Sequence, residues 1–578
     1  MYTKICRYDV FILITSVLGL IATVFNPYHL YPGFDIYHNL VVALIVTLGL
    51  VASFLNYKKT LRIPSSVLTW ILLLICIIIQ PYINDISYPD YLIFPVGTLF
   101  LTILFSIAIA GVNNKQWFLD KYLLSLLIFM LISVGIQLLQ LFGHHISFGD
   151  IIITAESNGR LYANLLQPNQ AAFMLSLSVL SSLYFYNHLH KKIWLVLFCI
   201  LTCGIAFTLS RAGLILGAST IILFNILLDR SYKVKLKNIG IQLSIYLLSY
   251  YIATIFYQSI ISLNETNNYS GNVIDRFNEG SAYLRVSLQK QALLIFQENP
   301  LTGYGWGNFA KGSIEHATEL GWFSFSAHSH FFISQIASEL GLVGLLCLLP
   351  ICFFLIRKIN FRMSAFNSVC FSSIVIIILY SCSEYPLWYI KYLVIFSLFI
   401  TLVDFKYLEV NSKFAKYLGL LSIISTVFII LLMSSYLKLY NVITKLQTED
   451  LSNEKIADLY HQIPNTFGLT IFKEHILFYY IVLDQDDIDE KLKLAERTVS
   501  TEVNKINLFR YGKLLAINHQ YEKSIAMFKA SCALDWQGNC PKVEEELRKL
   551  MESEPDVYGL IYDRFNQWYV GFDPSTNR

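Results

Sequence analysis

The feature that most constrains this chain is a series of about thirteen apolar runs. They lie near 10–25, 39–55, 67–83, 91–111, 122–142, 166–187, 193–209, 212–228, 239–261, 330–356, 366–383, 389–405 and 417–437. A transmembrane helix needs roughly 20 apolar residues, with about 17 to 25 as the range. The sequence therefore predicts an all-α, polytopic membrane helix bundle. The charges divide the chain in two. From Leu437 onward 39 of 142 residues are charged, against 44 of the first 436. This predicts a transmembrane domain over 1–437 and a soluble helical domain over 438–578. With 55% hydrophobic and 14% charged residues, the chain is no soluble globular protein, secreted disulfide scaffold or nucleic-acid binder.

Lys and Arg favour the cytoplasmic side of a membrane. Lys4 and Arg7 precede the first run, which resembles a signal peptide but has no small-residue cleavage site, and is read as a retained helix. Every second loop repeats the basic bias, as in Lys58, Lys59 and Arg62, then Lys191 and Lys192, then Arg357, Lys358 and Arg362. The alternate short loops hold almost none: zero in 26–38 and 84–90, and Arg160 alone in 143–165. The alternation fits thirteen spans, with the N-terminus inside and the C-terminus outside.

Residues 262–329 form one long outer loop, with Arg276, Arg285, Lys290 and Lys311 on the side where the bias predicts few cations. Long loops escape the rule, and an anionic client is the functional alternative. In the tail, Leu508, Tyr511, Gly512, Leu515, Ser524, Phe528 and Ser531 resemble one tetratricopeptide unit; a generic helical hairpin fits as well. Cys532 and Cys540 could form a disulfide if the tail lies in an oxidising compartment.

Charges within spans are rare, Glu339 being the clear exception. The polar residues gather at outer helix ends, which favours chemistry at the outer membrane boundary over ion-coupled transport. Five clusters carry it. Asn158-Gly159-Arg160 is followed by Gln167-Pro168-Asn169-Gln170, amides at a helix start suited to sugar hydroxyls or phosphate, or to ordinary capping. Ser210-Arg211-Ala212-Gly213 breaks two spans; Arg211 could bind phosphate or snorkel to head groups. Arg285 precedes a helix that ends at Glu298-Asn299-Pro300 and a glycine-rich run over 303–309 that matches no phosphate loop. Ala327-His328-Ser329-His330 offers a general base near working pH, with no further ligand at a metal spacing. Glu384-Tyr385-Pro386-Leu387-Trp388 reads as a sugar platform or an interfacial aromatic anchor. Glu339 reads as the holder of a structural hydrogen bond.

These clusters, in this order over residues 160–390, resemble the O-antigen ligase and O-antigen polymerase superfamily. The segments Gln167-Pro168-Asn169-Gln170, Ser210-Arg211, Arg285 with Glu298-Asn299-Pro300-Leu301-Thr302-Gly303-Tyr304-Gly305, His330 through Gly344, and Glu384 through Trp388 carry the likeness. The first and last lean toward the bacterial O-linked protein glycan ligases (O-oligosaccharyltransferases, PglL type). The resemblance implies an inner-membrane enzyme whose site faces the periplasm. It would take an undecaprenyl-diphosphate-linked oligosaccharide and pass it to a Ser or Thr hydroxyl of a periplasmic protein such as a pilin, with no cofactor or metal. It places the functional histidine at His330. His328 competes, because the family usually has Asn, Ser or Gln after that histidine, whereas Phe331 follows His330. The family's phosphate-binding arginines map onto Arg211 and Arg285, and Arg160 and Arg276 match more loosely.

In this reading Arg211 and Arg285 stabilise the diphosphate leaving group, and His330 accepts or orients the acceptor hydroxyl proton. Gln167, Asn169 and Tyr385 hold the sugar or diphosphate, with Arg160, Arg276, His328 and Glu384 as further binding residues. An O-antigen ligase acting on lipid A-core, a polysaccharide polymerase and a non-enzymatic exporter of lipid-linked glycan are the alternatives.

Overall fold

The computed structural model describes residues 5–153, 159–263, 281–317, 326–404, 406–449, 455, 459, 461–463, 465–534 and 536–571. Asn158 and Arg276 lie outside the described residues. All thirteen apolar runs fall on helices: α1 (Arg7–Phe25), α2 (Phe34–Leu55), α3 (Val67–Ile83), α4 (Ile93–Ala110), α5 (Lys115–Leu141), α6 (Pro168–Leu189), α7 (Ile193–Phe207), α8 (Arg211–Leu227), α9 (Tyr232–Leu263), then, beyond α10 (Ser281–Glu298) and α11 (Phe309–Glu315), α12 (Phe332–Cys347) with α13 (Leu349–Lys358), α14 (Ala365–Tyr380), α15 (Ile390–Val403) and α16 (Lys413–Thr448). Among the described residues six helices are long and apolar enough to cross a membrane, or seven if α12 and α13 make one broken span. The chain is a multi-pass, mostly helical membrane protein.

The helices fall into two compact units. The first holds 1–71, 98–279 and 350–434. Its centre is α6, buried without interruption from Gln170 to Phe185, and α15, buried along its whole length. A helix buried on every side needs no amphipathic stripe. Ser176 and Ser181 on α6 return their hydroxyls to the carbonyls four residues back, so these hydroxyls stay satisfied inside the bundle. Phe173 of α6 stacks on Tyr380 of α14, ring centroids 4.5 Å apart.

One feature departs from an all-α reading. Residues Leu61–Pro64 (β1) pair antiparallel with Tyr407–Val410 (β2), Leu61 opposite Val410. Each strand is four residues long, too short for its alternation to register in the sequence. The ribbon is anchored by Asp404, whose carboxylate accepts from the Ser65 hydroxyl and the Ser66 amide. The Lys115 ammonium donates to the last carbonyls of α15, the end of a helix that favours a cation.

The second unit holds 72–97, 280–349 and 435–578. Its tail comprises α17 (Thr470–Tyr480), α18 (Ile488–Val499), α19 (Lys505–Ile517), α20 (Tyr521–Ala533), α21 (Trp536–Ser553) and α22 (Pro555–Gly571). The α19–α20 hairpin closes tightly because Gly512 lies against the Phe528 ring, where a Cβ would come within 2.9 Å. The Ser524 hydroxyl donates to the Gly512 carbonyl at 2.8 Å. Cys532 and Cys540 form a disulfide. Ala310 and Ala317, in and beside α11 of the long loop, are buried in the same core as Phe478, Leu492 and Val499 of the tail.

Candidate functional site

In the first unit Asn169 is the hub. Its Oδ1 accepts from the Ser210 hydroxyl at 2.7 Å and from Arg160 Nη2 at 3.2 Å. Its Nδ2 donates to Glu384 Oε1 at 2.7 Å. Arg160 Nε also donates to the Thr208 carbonyl at 3.1 Å. Three of the clusters singled out in the sequence therefore meet, through Arg160 and Asn169, Ser210, and Glu384. Gln167 is the residue before α6, half-buried, and its side chain caps nothing. Ser210 caps α8 by accepting from the Gly213 amide at 3.0 Å, and Arg211 is the first residue of that helix.

The consequence is electrostatic. The Ser210–Asn169 bond joins the N-termini of α6 and α8, and each helix N-terminus carries about half a positive charge and undonated N–H groups. The Arg160 guanidinium lies beside them, and Arg211 is the first residue of α8. Such a place suits an anion with several oxygens. Both atoms of the Asn169 amide are engaged with protein, so this residue orders the cluster. Tyr385 follows Glu384, and burial pushes its phenol up to about 12, which keeps its hydrogen available for donation. Its ring lies 5.4 Å from that of Tyr389.

Next to Asn169, Gln170 turns inward. Its Oε1 accepts from Lys391 Nζ at 3.0 Å and from the Tyr392 hydroxyl at 2.7 Å. Lys391 is fully buried and pairs with Asp35 at 2.6 Å. Asp35 is in the first turn of α2 and Lys391 in the first turn of α15, and neither stands out in the sequence.

In the second unit the histidines stand in a turn before α12. The rings of His328 and His330 are 4.2 Å apart, edge to face. Ser329 between them is buried and fastened on both sides: its carbonyl accepts from Gln289 Nε2 at 2.6 Å, and its amide donates to Gln335 Oε1 at 2.6 Å. Gln289 lies one turn beyond the exposed Arg285 on α10, so the two share a helix face. Helix α12 starts at Phe332, and His330 takes φ +57°. Burial, with His330 beside it, takes the His328 imidazole down to about 2.

Four of the seven non-glycine residues with positive φ among the described residues are Ala163, Leu166, Leu209 and His330. All four fall in the segments just described. Such conformations cost about 1 to 3 kcal/mol each and persist where the surroundings fix them, often at functional sites.

The glycine run and the interruption of α12 are one structure. Gly341 breaks the helix at φ +63°. Tyr304 and Gly305 donate to the Ser338 and Glu339 carbonyls at 2.9 Å, and Leu342 and Val343 donate back to Pro300 and Leu301. The two backbones touch: a Cβ on Gly303 would be 2.3 Å from the Glu339 carbonyl carbon, and one on Gly341 would be 2.4 Å from the Leu301 oxygen. Glu339, buried, accepts from the Gly307 amide at 3.0 Å, the structural role expected of it. Non-helical backbone at this depth is tolerated when protein satisfies it. Among the described residues no group of three His, Cys, Asp or Glu could hold a metal ion.

Residues 170–349 match the O-antigen ligase family. The ComP-specific O-oligosaccharyltransferase of Acinetobacter baylyi is 25% identical over 375 residues, which cover 62% of this chain and 65% of that protein. The general O-oligosaccharyltransferase of the same organism is 24% identical over 382 residues, 63% of this chain and 64% of that protein. The chain thus spans just under two thirds of the length of the curated relatives it matches. The family match encloses Arg211, Arg285 and the histidine turn, and the likeness to these relatives reaches well beyond that match, so the chain is similar to the O-antigen ligase family over 170–349 and to these O-oligosaccharyltransferases over a longer stretch.

Proposed function

We propose that this protein is an O-oligosaccharyltransferase of the bacterial inner membrane. It moves an oligosaccharide en bloc from undecaprenyl diphosphate to a Ser or Thr hydroxyl of a periplasmic protein, with a type IV pilin as the model acceptor. The observation that carries the chemistry is the junction of two helix N-termini at Asn169 and Ser210, with Arg160 and Arg211 beside it. Cleaving a glycosyl–diphosphate bond builds negative charge on the leaving oxygen, and preorganised donors stabilise it. Arg211 and Arg285 bind the diphosphate. Gln167 and Tyr385 hold sugar or phosphate oxygens, Asn169 and Glu384 keep Arg160 in place, and Arg276 adds a further cation to the long loop. His330 takes or orients the proton of the acceptor hydroxyl. His328 is the weaker base because its imidazole is held near 2, far from a working pH.

The proposed topology is thirteen spans with the tail in the periplasm. The core shared by the long loop and the tail supports it, because parts of one core lie on one side of a membrane. The α19–α20 hairpin, closed by Gly512 on Phe528, supports a tetratricopeptide-type unit.

The test is purified protein with lipid-linked donor and a pilin, read by intact mass. A glycan-sized mass increase is expected, lost at least a hundredfold in H330A and R285A. If both variants insert normally and transfer as wild type does, the assignment fails. Glycan found on lipid A-core or on a second lipid-linked glycan instead would make the protein a ligase or a polymerase.

A further inference from the structure

The segment from the end of α3 into the turn that follows it, residues 80–91, holds two different parts of the second unit at once. On one side it carries the glycine run. Gln80 and Asn84 donate to the Thr302 carbonyl at 3.3 and 3.5 Å, Asn308 Nδ2 donates to the Asp85 carbonyl at 2.9 Å, and Lys311 pairs with Asp85 at 3.1 Å. On the other side it carries the tail. The Arg497 guanidinium lies over the Tyr88 ring, 4.7 Å from its centroid. The Ser500 hydroxyl donates to the Ser87 hydroxyl at 2.6 Å, and the Gly468 amide donates to the Asp90 carboxylate at 2.9 Å. Tyr88 is almost completely buried by these contacts.

From the glycine run the connection continues to the histidine turn. Residues 301–307 bond the backbone of 338–343 and the carboxylate of Glu339. That stretch is the middle of the helix whose first residues follow His330. The second strut, α10, reaches the same turn through Gln289 and Ser329 and packs its own core, Leu288, Ala292 and Ile295, against Phe309 at the start of α11. The tail core closes on α11 through Ala310 and Ala317. The links are packed cores and mostly part-buried hydrogen bonds, together the kind of contiguous network able to transmit position.

We propose that the tail is a brace of the donor-cleaving site, and that Tyr88 and Arg497 are positioning residues that hold the turn bearing His330. The inference rests on the O-oligosaccharyltransferase reading. It gives the tail a duty separate from acceptor recognition: cleavage of the donor depends on the tail even with water as the acceptor.

The test uses the full chain in detergent with undecaprenyl-diphosphate-linked oligosaccharide. Free glycan released without acceptor is measured beside transfer to a pilin, for wild type and for the double variant Y88A/R497A. Both rates are expected to fall together at least tenfold in kcat, with donor KM changed less than threefold. Amide exchange over 326–331 is expected to quicken. Adding S87C and S500C to that variant places two thiols where hydroxyls now touch. Their oxidation is expected to restore both rates to within threefold of wild type and to restore the slow exchange, and wild type under reductant sets the baseline. A variant that hydrolyses donor normally but no longer glycosylates protein overturns the brace in favour of acceptor recognition. So does a loss of both rates with exchange over 326–331 unchanged. A wild-type protein that neither hydrolyses nor transfers counts against the enzyme reading, while the exchange measurement still decides the brace.

Discussion

Asn169 donates its side-chain amide to the Glu384 carboxylate at 2.7 Å across 215 residues of sequence. That bond sets which way the amide points, and so places its oxygen against Ser210 and Arg160. Asn169→Asp would set a second carboxylate against Glu384, and like charges that close repel. Transfer is expected to fall at least tenfold. Glu384→Gln alone should cost about 1 kcal/mol of stability, the worth of an ordinary hydrogen bond. The double variant N169D/E384Q restores a donor–acceptor pair, so its activity should exceed that of N169D. A double-mutant cycle on transfer rate checks this.

Gly303 and Gly341 meet where a side chain has no room, and both hold positive φ. Alanine at either should cost about 3 kcal/mol or more, since backbone strain and overlap add. Gly307 also holds positive φ, yet a Cβ there meets nothing within 4 Å. Gly307→Ala should cost only about 1 kcal/mol. Thermal unfolding of the three variants in one detergent separates overlap from strain.

His328 makes stability depend on pH. Its folded pKa is lowered to about 2, burial being the first cause and His330 the second. An unfolded histidine takes its proton near 6.5. Below about 6.5 the unfolded state therefore binds the proton that the folded state refuses, and stability falls as pH drops toward 2. Above about 6.5 both states are neutral and the contribution is level. His328→Gln should flatten the melting temperature between pH 6.5 and 4 and leave the acid limb of the rate profile where it was. A shift of that limb in H328Q would make His328 the working base.

Lys391 and Asp35 pair inside the first unit, with the lysine fully buried. Removing one partner of such a pair costs about 3 to 5 kcal/mol, because the other charge is left uncompensated. Lys391→Met should therefore destabilise strongly. Because exchanging a whole buried pair for apolar groups is often neutral, K391M/D35L should recover most of the melting temperature. Donor KM should stay raised in the double variant, since Gln170 has lost its ammonium donor.

Much of this architecture was legible in the residues, because long apolar runs have few folded forms. Each of the thirteen runs is helical, and Arg160, Asn169, Ser210 and Glu384 stood out as polar residues at helix ends before they proved to be bonded together. Glu339 could be read as structural because a lone acid inside a span needs a donor. The segment at 80–91 carries no such mark. Its grip on Thr302 and its hold from Asn308 run through backbone carbonyls, which leave no residue signature. Asp35 escaped because its partner lies 356 residues away. The turn that places His330 at φ +57° was equally hidden, since the sequence pattern runs apolar straight from Phe331.

The hold of residues 84–91 on helices beyond position 465 bears on protein engineering. A transplanted C-terminal domain would arrive without the loop it was shaped against. Chimeras between relatives, made to redirect glycosylation to new targets, should exchange that loop together with the domain.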